Sequence, residues 1–189
     1  MPAYDVVVAG LGGYGSATAA HLARRGLRTL GLDPRPPAHT EGASHGETRI
    51  VRQAYFEGPT YVPLLTRTYE LWDELSDESG EPLLHRTGGI YLGLPHTRVF
   101  RGSLASAQSW SLEHEVLSSD EVHVRFPALR PPADVRGLWE PQAGTVRPES
   151  AVIAQLRRAA EEGRAQRRII DRALRSTEGS PPHVPAPTG

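Results

Sequence analysis

The chain has 189 residues and a formal charge of -1, enough length for one domain, or one domain with part of a second. With no cysteine it forms no disulfide, thiolate metal site or cysteine nucleophile, and its near-neutral charge points to neither nucleic acid nor an anionic membrane as partner. All 21 residues of the Lys and Arg count are arginine, a usage that fits a GC-rich coding sequence. No apolar run has the length of a membrane span. The patterned chain starts at Tyr4, with no signal peptide ahead of it, so a soluble cytoplasmic protein is expected.

Residues 4–9 form a short apolar run ending in glycines, the pattern of a buried parallel strand. Residues 14–25 read as a helix with Ala17, Ala20 and Leu22 facing inward and Gly26 at its stop. Residues 27–33 read as a second strand, closing a βαβ unit before Pro34, Pro36 and Pro37 open a loop. Residues 39–58 are polar and glycine-rich, with His39, His45, Arg49 and Arg52 close together. A helix is expected from Thr60 to Gly80 with Tyr61, Leu64, Leu65, Thr68, Trp72 and Leu75 on one face.

Further on, residues 83–94 hold one or two strands around Gly88 and Gly89, and residues 97–109 a helix. Ser118 and Glu121 form a capping-box start for a short helix ending before Pro127. Residues 137–140 suggest a strand, and residues 148–162 a helix stopped by Gly163. The arginine-dense residues 164–175 extend that helix in this reading, and residues 176–189 have the composition of a disordered tail. His85, His96, His114 and His123 are scattered without metal-ligand spacing, so no metal is expected. Arg157, Arg158, Glu161 and Glu162 read as a solvated helix face.

Gly10-Leu11-Gly12-Gly13-Tyr14-Gly15 is a G-x-G-x-x-G between a strand and a helix. In such a loop Gly10 permits the turn, Gly12 admits a pyrophosphate to the backbone, and Gly15 lets helix and strand approach. The helix start then offers unpaired N–H groups to phosphate, and Asp33 stands about 20 residues on, where a carboxylate accepts ribose hydroxyls. An acid there disfavours a 2′-phosphate. The loop alone does not separate NAD from FAD.

The next segment does. Ser44, His45, Gly46, Thr48, Arg49 and Arg52 match the serine, histidine, glycine, threonine and paired arginines of a signature at this distance from the glycine loop. The match continues through Tyr61-Val62-Pro63-Leu64, Glu70-Leu71-Trp72, Thr87-Gly88 and Glu140-Pro141 followed by Gly144, as far as about Gly163. In these residues the chain resembles the family of monomeric sarcosine oxidase and N-methyltryptophan oxidase. Read without the motif, Arg49 and Arg52 are surface charges and His45 a loop residue. Their chemistry suits the motif, since cations stabilise charge on a reduced flavin and an arginine fork grips a carboxylate.

The resemblance implies an α/β fold: an incomplete Rossmann-like FAD-binding βαβ domain with part of an α+β substrate domain. Its expected divisions are 1–80 for the cofactor domain, 81–147 for the start of the substrate domain, 148–163 for a returning helix and 164–189 for a non-family tail. It implies FAD held by Gly10, Gly12, Gly13, Tyr14, Gly15, Asp33, Ser44, His45, Thr48 and Arg49. His45 and Arg49 lie against the flavin ring in that reading, and Arg52 reaches a substrate carboxylate. The reaction implied is oxidation of a secondary amino acid such as sarcosine to an imine, which hydrolyses, with O2 as acceptor and hydrogen peroxide as product.

Family members are about twice this length, and their second half brings a lysine for oxygen activation and often a flavin-linked cysteine. This chain contains neither residue. Where the family runs into an apolar strand, residues 164–168 are Arg-Ala-Gln-Arg-Arg, which reads as a frameshift or an early end of the coding sequence. The alternatives are a non-catalytic FAD-binding fragment, or one chain of an oxidase whose second subunit supplies the rest.

Overall fold

The structure, a computed structural model, describes residues 3–162 and the backbone of residues 165–169. Backbone contacts divide the chain into two compact units: residues up to His45 with those from Val152 on, and residues Gly46 to Ala151. Residues 46–80 fall in the second of these units, with residues 81–151.

The first unit is the expected βαβ unit. Strand β1 (Val6–Ala9) leads into helix α1 (Gly13–Arg24) and returns as strand β2 (Thr29–Asp33), parallel to β1 with Val6 opposite Thr29. Helix α1 buries Ser16, Ala19, Ala20 and Ala23, small residues that let it lie close to the strands. Ala17 and Leu22 are only half-buried. Val8, Leu11, Ala19, Ala20 and Ala23 form the core, joined by Ala159 from a later helix. Val7 is 55% exposed, so β1 is covered on one face only.

The second unit holds two antiparallel sheets. Strands β3 (Arg49–Val51), β4 (Leu84–His85) and β8 (Gly144–Val146) form one, in the order β3-β8-β4. Helix α2 (Val62–Ser79) comes after a 3-10 turn at Pro59–Tyr61 and sets Tyr69 and Trp72 against Leu84 and Val146. Strands β5 (Gly89–Gly93), β6 (Glu115–Leu117) and β7 (Arg136–Glu140) form the other, in the order β5-β7-β6. Helices α3 (Arg98–Ser109) and α4 (Ser119–Arg125) complete the unit. Helix α5 (Pro148–Glu161) leads to strand β9 (Ala165–Ile169), which pairs parallel with β2.

Three expectations need correction. Residues 165–169 do not extend the preceding helix but form β9, because ladder hydrogen bonds to β2 outweigh the helical leaning of an arginine-rich run. The remainder of the expected tail lies outside the described residues. The polar, glycine-rich residues 39–58 contain β3. On the expected face of α2, Leu65, Thr68 and Trp72 are half-buried and Leu75 is buried as read, joined by Val62 and Tyr69, whereas Leu64 is 67% exposed and Tyr61 47%. Arg158 is buried, because α5 turns it to the side of Ala151 and Ala154, while Arg157, Glu161 and Glu162 are exposed as expected. Among the described residues no helix is long and apolar enough to cross a membrane.

The capping box at α4 forms as read. The Ser118 Oγ accepts from the Glu121 N–H at 3.3 Å, and a Glu121 carboxylate oxygen accepts from the Ser118 N–H at 2.7 Å. The Ser118 hydroxyl, which donates to the same carboxylate oxygen at 2.7 Å, and then the Ser118 N–H hold the Glu121 carboxyl below the usual carboxylate range. A lowered folded-state pKa stabilises above the unfolded value, and that support goes as pH falls through the folded one. The N-terminal turn of α4 is therefore expected to lose its protection from hydrogen exchange on acidification, and Ser118→Ala, which keeps only the backbone N–H bond, to weaken this pH dependence. Gly88 is more demanding: its φ is +73° and a Cβ there falls 1.9 Å from the Trp139 ring. Gly88→Ala is expected to cost about 2–4 kcal/mol in denaturant unfolding, against about 1 kcal/mol for Ser118→Ala.

Candidate functional site

The glycine loop is built by contact with the strands. Gly10 leaves β1 at φ +84° and its N–H donates to the Leu32 carbonyl at 2.8 Å. Gly12 caps α1 in an extended conformation. A Cβ on Gly15 falls 1.8 Å from the Gly10 carbonyl oxygen, so only glycine lets the first helical turn close over the loop. The Gly13 N–H donates to the Ser44 hydroxyl at 2.9 Å, which brings Ser44 to the helix start. Tyr14 is 96% exposed beside it.

Asp33 ends β2 and is buried at 6% exposure. One carboxylate oxygen accepts from the Leu11 N–H at 2.7 Å, the other from the Arg35 N–H at 2.8 Å. His39 Nε2 stands 3.8 Å from the latter oxygen. Asp33 thus ties the glycine loop to the second strand, a task the sequence reading did not assign. Each oxygen has a second lone pair, so the expected bond to a ribose hydroxyl remains chemically open. Loop, helix start, Ser44 and Asp33 converge in one unit, and this cradle fits the pyrophosphate and ribose of a dinucleotide.

The remaining expected residues come next along the chain. His45 is half-buried at the edge of the first unit. In the second unit, the Gly46 and Glu47 N–H groups donate to one Glu149 oxygen at 2.6 and 3.4 Å, holding a turn before β3. Thr48 and Arg49 are exposed, and Arg49 donates back to the Thr48 carbonyl at 2.7 Å. Arg49 opens β3 opposite Val146.

Arg52 is different. Its guanidinium lies 4.9 Å from the Tyr55 ring centroid and 5.2 Å from that of Tyr91. Its Nε is buried without a hydrogen-bond partner. Glu140, 1% exposed, accepts from the Gln53 N–H at 2.5 Å and the Ala54 N–H at 2.9 Å. Glu140 was legible only as part of a motif, and Tyr91 only as a strand residue. Their link to Arg52 needs the fold.

Removing the Asp33 carboxylate leaves the Leu11 N–H buried without its acceptor. Asp33→Ala is expected to cost about 1–3 kcal/mol of stability, and Asp33→Asn less, since its amide oxygen still accepts. Denaturant melts of the two variants check this order.

Comparison with known proteins extends the geometry. The family described as FAD dependent oxidoreductase matches residues 5–174. The monomeric sarcosine oxidase of Streptomyces avermitilis is 49% identical over 162 residues, covering 86% of this chain and 42% of that protein. The N-methyl-L-tryptophan oxidase of Salmonella dublin is 42% identical over 164 residues, 86% of this chain and 44% of that protein. Among solved structures, NikD, described as an unusual amino acid oxidase essential for nikkomycin biosynthesis, superposes with a TM-score of 0.76 at 28% identity. The superposition covers 89% of this chain and 43% of NikD. Glycine oxidase from Geobacillus kaustophilus shares the fold at 23% identity, with a TM-score of 0.67, over 87% of this chain and 46% of the enzyme. The chain spans less than half the length of these relatives. With its glycine cradle and a family match over most of its length, the chain belongs to the FAD dependent oxidoreductase family.

Proposed function

We propose that this chain carries the cofactor-binding part, and the first substrate contact, of an oxidase acting on the C–N bond of a secondary (N-methyl) amino acid such as sarcosine. The observation that carries the substrate class is Arg52, a half-buried planar cation whose Nε has no hydrogen-bond partner. An arginine fork with donors to spend suits a carboxylate. The likeness to a sarcosine oxidase and an N-methyl-L-tryptophan oxidase supports the same reading.

In this proposal the α1 start and Gly10, Gly12, Gly13, Tyr14 and Gly15 hold the FAD pyrophosphate, Asp33 holds the ribose, and Ser44 and Thr48 contact the cofactor. When bound, FAD supplies the acceptor for the hydride equivalents of the amine C–H bond. Arg49 provides positive charge that stabilises a reduced ring, His45 lies against the same ring, and Arg52 orients the substrate by its carboxylate. Oxygen is the final acceptor and hydrogen peroxide the product. A second reading is that the chain binds FAD without turning over, or that a second subunit completes the enzyme. We assign residues 1–80 to the cofactor domain and 81–147 to the substrate domain.

The purified chain incubated with FAD is expected to carry flavin absorbance through gel filtration. Gly15→Ala is expected to lose it, since the added methyl meets the Gly10 carbonyl. A wild-type chain that emerges colourless overturns the cofactor assignment. Arg52→Met is expected to keep FAD yet lose the shift in flavin absorbance that sarcosine produces. A full shift with Arg52→Met rejects the carboxylate role.

A further inference from the structure

Arg52 lies on an irregular segment between β3 and the 3-10 turn, where side-chain freedom would ordinarily be large. Yet the segment is pinned along its length. Strands β5 and β7 pair antiparallel with Tyr91 opposite Leu138 and Gly89 opposite Glu140. Side chains alternate along a strand, so Tyr91, Leu138 and Glu140 share one face of the sheet. Glu140 reaches from that face to the Gln53 and Ala54 N–H groups, with Ala54 fully buried beneath. On helix α3 the Ser106 hydroxyl donates to the Tyr55 carbonyl at 2.5 Å. Gly102 approaches so closely that a Cβ there would fall 2.5 Å from the Phe56 carbonyl oxygen.

The side chain itself is held by rings. With Tyr55 three residues on and Tyr91 from the sheet both within 5.2 Å, the guanidinium has two aromatic contacts. Aromatic faces attract the cation without consuming its N–H donors. A salt bridge would orient Arg52 equally well, but would occupy the hydrogen-bonding edge that a carboxylate needs. Among the described residues Arg52 forms no salt bridge, unlike Arg67, Arg86 and Arg125 of the same unit.

We propose that Tyr91 and Glu140 are positioning residues for Arg52: Glu140 fixes the backbone that carries it, and Tyr91, with Tyr55, orients the guanidinium while leaving its donors for the substrate carboxylate. This rests on the reading of Arg52 as the carboxylate-binding cation. Tyr91 acts through its ring, so Tyr91→Phe retains the function and Tyr91→Leu loses it. Glu140 acts through two acceptor oxygens, so Glu140→Gln, which keeps one, loosens the segment.

The test uses the full chain labelled with nitrogen-15, following the Arg52 Nε–H signal and its response to added acetate. In the native chain that proton is expected to exchange slowly. Tyr91→Leu is expected to speed its exchange, and to weaken acetate binding, by about tenfold, while Tyr91→Phe stays within about twofold of native for both. Glu140→Gln is expected to raise amide exchange at Gln53 and Ala54 and to weaken acetate binding. Native-rate Nε–H exchange and unchanged acetate affinity in a folded Tyr91→Leu overturn the proposal. Should that variant fail to fold, Tyr55→Leu takes its place under the same criteria. Arg52→Met separates the two ideas. Acetate bound equally well by Arg52→Met defeats the carboxylate reading. Acetate lost in Arg52→Met but kept in Tyr91→Leu defeats the positioning proposal alone.

Discussion

The arrangement of the second unit depends on one buried carboxylate. Glu140 is almost wholly removed from solvent, a position that a carboxylate occupies at high cost unless its oxygens are satisfied. Both are: each accepts a backbone N–H from residues 86 and 87 positions earlier in the chain. The bond is mutual in its effect. The Gln53 and Ala54 N–H groups would otherwise be donors without a ladder, and the sheet would end in an unpaired charge. By satisfying both, Glu140 turns an irregular segment into a fixed one and sets Arg52 and Tyr55 against the face that carries Tyr91.

Asp33 performs the same service in the first unit. It too is buried, and it too spends its two oxygens on backbone N–H groups, one in the glycine loop and one beyond the strand. The loop is therefore shaped by steric exclusion at Gly15 and by a carboxylate anchor at Leu11. A pyrophosphate site needs such rigidity, because donors already oriented cost little to align when the anion arrives. Both units thus use a buried acid to fix the backbone beside the residues expected to meet cofactor or substrate.

How much of this was legible depends on the range of the interactions. The β1-α1-β2 unit stood out because strand, glycine loop, helix and Asp33 all lie within 33 residues and each step has a local cause. The capping box of Ser118 and Glu121 was readable for the same reason. Strands β3, β6 and β8 have three residues each and no period long enough to detect. Strands β3 and β8 exist because they meet each other across nearly a hundred residues. Strand β9 is a sharper instance: its composition suggested helix, and pairing with β2 made it a strand. The exposure of Tyr61 and Leu64 on α2 and the burial of Arg158 escaped the reading because helical period gives the spacing of a stripe, while neighbouring elements choose how far it is covered.

The sequence by itself determined the dinucleotide fold and the FAD-dependent family, since glycine spacing, an acid at the strand end and the Ser44–Arg52 motif are local patterns with direct chemical reasons. Only the tertiary structure decided what those residues rest on. It gave Asp33 a backbone anchor to hold, brought Ser44 to the first N–H of α1, and set Arg52 among Tyr55, Tyr91 and the segment held by Glu140. These contacts join positions from 22 to 87 residues apart, apart from the neighbouring pair Arg52 and Tyr55. The reason is physical: a pattern in sequence records what one segment prefers, whereas a buried hydrogen bond between distant segments exists only once the chain has closed and excluded the water that would have competed for it.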